Sequence, residues 1–66
     1  MTPNEAREAA GRVVMRAADA GVFVDTNVIY ADGIDSIECP RCCVDEIVDI
    51  YRRAGLSPQA MFIGPH

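Results

Sequence analysis

Apolar positions recur along this chain with two different periods. From Ala6 onward they fall at Ala6, Ala9, Ala10, Val13, Val14, Ala17 and Ala18, the spacing of one helical face. Glu5, Glu8, Arg12, Arg16 and Asp19 fill the other side. Thr2-Pro3-Asn4-Glu5 reads as a helix start, because Thr2 can accept a first-turn amide, Pro3 suits the first helical position and Glu5 closes a capping box. Gly21 stands where a left-handed residue ends a helix. The pattern predicts a helix over residues 3–20, with an alanine-rich stripe that lets another backbone come close.

The period then shortens. Val22 to Ala31 is rich in β-branched and aromatic residues, Asp32-Gly33 is a two-residue hairpin signal, and Ile34 to Cys39 reads as a return strand. A hairpin is therefore expected over residues 22–39. With Asp32 and Gly33 at the turn centre, Ala31 faces Ile34, Ile29 faces Ser36 and Val28 faces Ile37. One face then carries Val22, Val24, Thr26, Val28, Tyr30, Ile37 and Cys39, the better core face; the other carries Phe23, Asp25, Asn27, Ile29, Ser36 and Glu38.

A second helix is expected over residues 41–54, with Val44, Ile47, Val48, Tyr51 and Ala54 as its apolar stripe. Its acids come early (Asp45, Glu46, Asp49) and its arginines late (Arg52, Arg53), the order that complements the helix dipole. Gly55 is the expected terminator, and Leu56 is placed to fold back over the last turn. In the tail, 56–66, Ser57-Pro58 reads as the opening of one more helical turn and Gly64-Pro65-His66 as a frayed end.

These elements make one small α+β domain over residues 1–66, in the order α-β-β-α, with two helices on one face of a β-hairpin. A lone hairpin leaves two unpaired edges. A chain of 66 residues also buries only ~60% of the surface its unfolded form exposes. Both arguments lead to the expectation of a homodimer that extends the sheet, or of a complex with a protein partner.

Composition adds limits. Half the residues are apolar, which favours collapse over disorder, and the net charge is −4. The six cations are all Arg, with no Lys. An acidic chain lacks the usual electrostatic drive toward a phosphate backbone, so nucleic acid is not an expected partner. No apolar run approaches the ~20 residues of a membrane span, so no membrane partner is expected either. The odd number of cysteines, three, and a start without a basic segment ahead of an apolar one favour a reducing cytoplasm.

Candidate chemistry concentrates in Cys39-Pro40-Arg41-Cys42-Cys43, where the strand pattern gives way to the helix pattern. A strand followed by Cys-Pro-x-Cys resembles the knuckle of zinc-ribbon proteins, which implies Cys39 and Cys42 as zinc ligands. Zinc takes four ligands. The chain has no second knuckle, so the closed site this implies uses Cys39 and Cys42 from each of two subunits across a two-fold axis. Cys43 is expected to point elsewhere. The same residues resemble the active-site turn of glutaredoxin-like proteins, which implies Cys39 as nucleophile and Cys42 as resolving thiol. Helix N-terminal amides and Arg41 would both favour a thiolate at Cys39. That family needs further strands after the helix, and only residues 55–66 remain here. A third reading makes the cysteines small buried hydrophobes, which suits Cys43 best.

The run Val22 to Tyr30, built around Asp25-Thr26-Asn27, resembles the opening strand of PIN-domain ribonucleases. The resemblance implies a divalent-metal role for Asp25. Metal-dependent phosphodiester hydrolysis needs several converging carboxylates, and here a whole helix precedes the strand. Otherwise Asp25 and Asn27 belong to a solvated face or a bulge. There is no glycine-rich phosphate loop, and Glu46 and Asp49 read as a solvated helix face.

The function expected from these features is a small non-enzymatic protein-interaction or regulatory module without a cofactor, of the kind found among bacterial and phage accessory proteins. The alternative is a zinc-stabilised module using Cys39 and Cys42, followed by a thiol redox protein. The expected docking surface is the second hairpin face with its exposed edge, anchored by Phe23 and Ile29. Met15, off the main stripe of the first helix, is assigned either to the same contact or to the surface as a lone exposed apolar residue. Burial of Phe23 and Ile29 under the second helix is the competing reading. In the tail, Met61, Phe62 and Ile63 signal packing on something.

Overall fold

A computed structural model describes residues 1–30 and 35–63. Helix α1 spans Pro3–Asp19, strand β1 Thr26–Ile29, strand β2 Ser36–Cys39, helix α2 Val44–Arg53 and strand β3 Gln59–Phe62; a 3-10 turn, Arg41–Cys43, leads into α2. The order is α-β-β-α-β, an α+β fold with one three-stranded antiparallel sheet among the described residues.

The helix ends follow local chemistry. Thr2 Oγ1 accepts from the Glu5 amide at 3.1 Å, and Glu5 Oε1 accepts from the Thr2 amide at 2.8 Å, the reciprocal pair of a capping box. That pair also holds the Glu5 carboxyl below its ordinary value. Both helices close in a Schellman arrangement. Gly21 donates to the Ala18 carbonyl and Val22 to that of Ala17, each at 3.0 Å; Gly55 donates to Arg52 at 3.0 Å and Leu56 to Tyr51 at 3.1 Å. The two glycines have φ of 75° and 81°, a left-handed backbone that a Cβ would strain. Leu56 packs back on the core as its position implies.

Strand pairing joins Thr26, Asn27, Val28 and Ile29 to Cys39, Glu38, Ile37 and Ser36, which is the register expected from the hairpin signal. The turn itself, Asp32-Gly33, and the Ala31–Ile34 pair lie outside the described residues. The core joins Ala6, Ala10 and Val13 of α1 and Ile47, Ile50 and Tyr51 of α2 to Val28, Tyr30 and Cys39 of the sheet side. α1 packs chiefly along α2, where alanines permit close approach. The Tyr30 and Tyr51 rings stack in parallel with centroids 4.0 Å apart.

Four expectations are corrected. The tail does not continue as helix: residues Gln59–Phe62 form β3, which pairs antiparallel with β1 and places β1 at the centre of the order β2-β1-β3. Pro58 sets an extended chain, and the Gln-Ala-Met-Phe run finds in β1 an edge with unpaired amides and carbonyls. The first strand is shorter than expected, and Val22 and Val24 are exposed rather than core, because the chain leaving Gly21 runs outside the sheet until Thr26. The second helix begins as a 3-10 turn. Ile50, outside the expected stripe, is buried because α1 covers that flank of α2. The frayed end assigned to Gly64-Pro65-His66 lies outside the described residues.

Candidate functional site

The junction between β2 and α2 gathers most of the chemistry-bearing side chains. Asp25 organises it. One carboxylate oxygen, Oδ1, accepts from the Arg41 amide at 2.8 Å and from the Thr26 hydroxyl at 3.2 Å; the other lies 3.8 Å from Arg41 Nε. An amide at the start of a helical segment has no intrahelical acceptor, and Asp25 supplies one from a distant strand. Its own carbonyl accepts from Ile63 at 2.9 Å, so one residue ties the β1 entrance, the α2 entrance and the end of β3 together. The carboxylate that the ribonuclease resemblance would give to a metal is engaged by an amide and a guanidinium. Arg41 in turn lies over the Phe62 ring, 4.0 Å from its centroid.

The three thiols divide by environment. Cys39 is fully buried in β2 beneath the helices. Burial, with Cys43 and Asp25 adding a smaller part, pushes its thiol up to about 11. The glutaredoxin-like expectation of an activated thiolate at Cys39 is therefore reversed: the low-dielectric surroundings outweigh the helix start and Arg41, whose guanidinium is turned to Asp25 and Phe62. Cys42 is exposed and Cys43 half-buried, and their sulfurs stand 3.8 Å apart. Burial and the contact with Cys42 hold the Cys43 thiol above its ordinary value. The pair that the fold brings together is thus Cys42 with Cys43. The expectation that Cys43 points elsewhere is corrected: within the 3-10 turn its sulfur lies beside that of Cys42. Among the described residues, no group of three or more His, Cys, Asp or Glu stands close enough to hold a metal ion.

The residues assigned to docking fall into two places. Phe23 is 76% exposed, which removes the reading that buries it under α2. Ile29 is half-buried, on the sheet face opposite the helices with Asn27 and their cross-strand partners Glu38, Met61, Ser36 and Gln59. Met15 is 63% exposed and lines an open groove of about 470 Å³ between α1 and α2, with Val13, Arg16, Glu46 and Ile50 among its neighbours. Phe23 is not among the residues of that groove, so the structure does not join Met15 to it.

Sequence reasoning left out the far edge of the sheet. Every residue of β3 is exposed, with Met61 at 49% and Phe62 at 59%, and Ile63 beyond it at 46%. The Ile63 amide donates to the Asp25 carbonyl, so this run ends beside the residue that follows the exposed Val22-Phe23-Val24 segment. The available signal was the β-prone run after Pro58. From Gly55 to Ile63 the chain has no ionisable side chain.

Compared with known proteins, the chain matches no protein family, no curated protein and no solved structure. No described helix is long and apolar enough to cross a membrane.

Proposed function

We propose that the protein is a small non-enzymatic interaction module that works by adding a strand to the free edge of β3, with a second copy of the chain as the first partner. The observation that carries this reading is the character of β3: among the described residues it is an edge strand paired with β1 alone, uncharged, exposed along its whole length and apolar after Gln59. Natural edge strands are usually blunted by charge, bulges or cover; β3 itself carries no charged residue, with Arg41 placed over its Phe62 ring. The β2 edge offers a contrast, since Asp35 and Glu38 flank and occupy it. For a chain of net charge −4, self-pairing through β2 sets like charges against each other, whereas self-pairing through β3 does not. Phe23, Met61 and Ile63 supply the apolar side chains that strand addition needs for affinity.

The non-enzymatic part of the reading is supported by how the polar groups are used. Asp25 is committed to the Arg41 amide, and Cys39 is a buried thiol with its proton held tightly.

The test is the mass of the native particle by light scattering over a range of concentrations. A dimer that Ala60→Pro and Phe23→Asp each convert to folded monomer supports strand addition at β3. Wild-type protein that stays monomeric up to millimolar concentration rules out the self-pairing form.

A further inference from the structure

We propose that Cys42 and Cys43 form a two-thiol site for a soft, tetrahedral, thiophilic cation of the Zn²⁺ or Cd²⁺ kind. The argument begins with the bite. Two sulfurs each ~2.3 Å from one tetrahedral ion stand about 3.8 Å apart. The Cys42 and Cys43 sulfurs are separated by 3.8 Å before any ion arrives. Adjacent residues do not ordinarily converge, because neighbours in a strand point to opposite faces. The turn that carries both thiols is held by two further bonds: the Cys43 amide donates to the Pro40 carbonyl at 3.0 Å, and the Arg41 amide donates to the Asp25 carboxylate at 2.8 Å. The donors are therefore positioned in advance, and little ordering remains to be done on binding.

Access is also provided. Cys42 is exposed, and both cysteines line an open depression of about 260 Å³ shared with Val22, Arg16 and Glu46. Cys39, which the zinc-ribbon resemblance would pair with Cys42, is fully buried and does not line it. Binding replaces two S–H bonds with two sulfur–metal bonds and releases two protons to solvent, with no change of oxidation state. A single chain supplies two ligands here, and the remaining two positions of a tetrahedral ion fall to water or to the same pair of a second copy.

Cadmium titration, followed by the ultraviolet charge-transfer band of a thiolate–cadmium bond, tests the site. Wild-type protein should develop the band, and Cys42→Ser or Cys43→Ser should each weaken binding at least tenfold. Because Cys39 lies in the core, its role is read without a substitution. Wild-type protein with and without saturating Cd²⁺ is pulsed with iodoacetamide and the modified cysteines are mapped by mass spectrometry. Joint protection of Cys42 and Cys43, with Cys39 unchanged, is the expected pattern. Absence of the band, or any protection pattern that spares Cys43, overturns the proposal.

Discussion

Asp25 shows how much a single side chain contributes when it reaches across the fold. It caps a helical entrance sixteen residues away in sequence while its backbone anchors the end of β3. Replacement of a capping carboxylate by Ala typically costs about 0.5–2 kcal/mol. Asp25→Ala should lose stability in that range in urea denaturation, and Asp25→Asn, which keeps an acceptor, should recover most of it. Two buried acids make a separate prediction about pH. Burial pushes the Cys39 thiol from 9.0 to about 11 and holds the Tyr51 hydroxyl well above its ordinary value, with Tyr30 adding to the latter. Both protons are held more tightly in the folded chain than in the unfolded one. Stability should therefore be insensitive to these groups below about pH 9 and fall as pH rises through 11. Urea midpoints measured from pH 7 to 11 check this, and Tyr51→Phe should flatten the upper part of the decline. The same substitution removes a buried hydroxyl that has no hydrogen-bond partner among the described residues. At neutral pH it should leave stability unchanged or raise it by about 1 kcal/mol.

The elements differ in how far they depend on one another. α1 carries its own start and stop in Thr2, Glu5 and Gly21, and α2 its stop in Gly55. β3 has no such signals and is a strand because β1 accepts it. The Ile63 amide donates to Asp25, so in an antiparallel ladder the amides of Met61 and Gln59 also face β1, while those of Ala60 and Phe62 face outward. Proline therefore separates the two sides of this strand. Met61→Pro should detach β3 and lower stability by about 1–3 kcal/mol through a lost ladder bond. Ala60→Pro should leave the monomer nearly as stable and affect only what binds at the edge. Equal destabilisation by both would mean that the outward assignment is wrong.

At the scale of the whole molecule, the core is small and dominated by alanine on the α1 side and by Tyr51, Ile47 and Val28 on the other. A domain of this size gains measurably from a second subunit, and assembly then shifts apparent stability by mass action. If β3 pairs between copies, the thermal midpoint should rise with protein concentration. Ala60→Pro should abolish that dependence without lowering the midpoint seen at high dilution. Differential scanning measurements across a hundredfold concentration range decide the matter.

Much of this was legible in the chain itself, for a common physical reason. Caps, glycine terminators, helical stripes and hairpin register depend on neighbours within a few residues, so Thr2, Gly21, Gly55 and the Ile29–Ser36 pairing could be read directly. The presence of a cysteine-bearing junction and an exposed Phe23 was also in view. What the sequence left open depends on partners remote along the chain. A run such as Gln59–Phe62 carries only a weak strand signal of its own and becomes strand because the β1 edge stands beside it. Whether Asp25 meets a metal or an amide is decided by the arrival of Arg41. Which thiols meet is decided by how the folded junction places the side chains of Cys42 and Cys43, and which thiol is inert by the helices that close over Cys39. Local geometry belongs to the sequence; burial, and with it the chemistry of these groups, belongs to the tertiary structure, because desolvation is a property of everything packed around a residue.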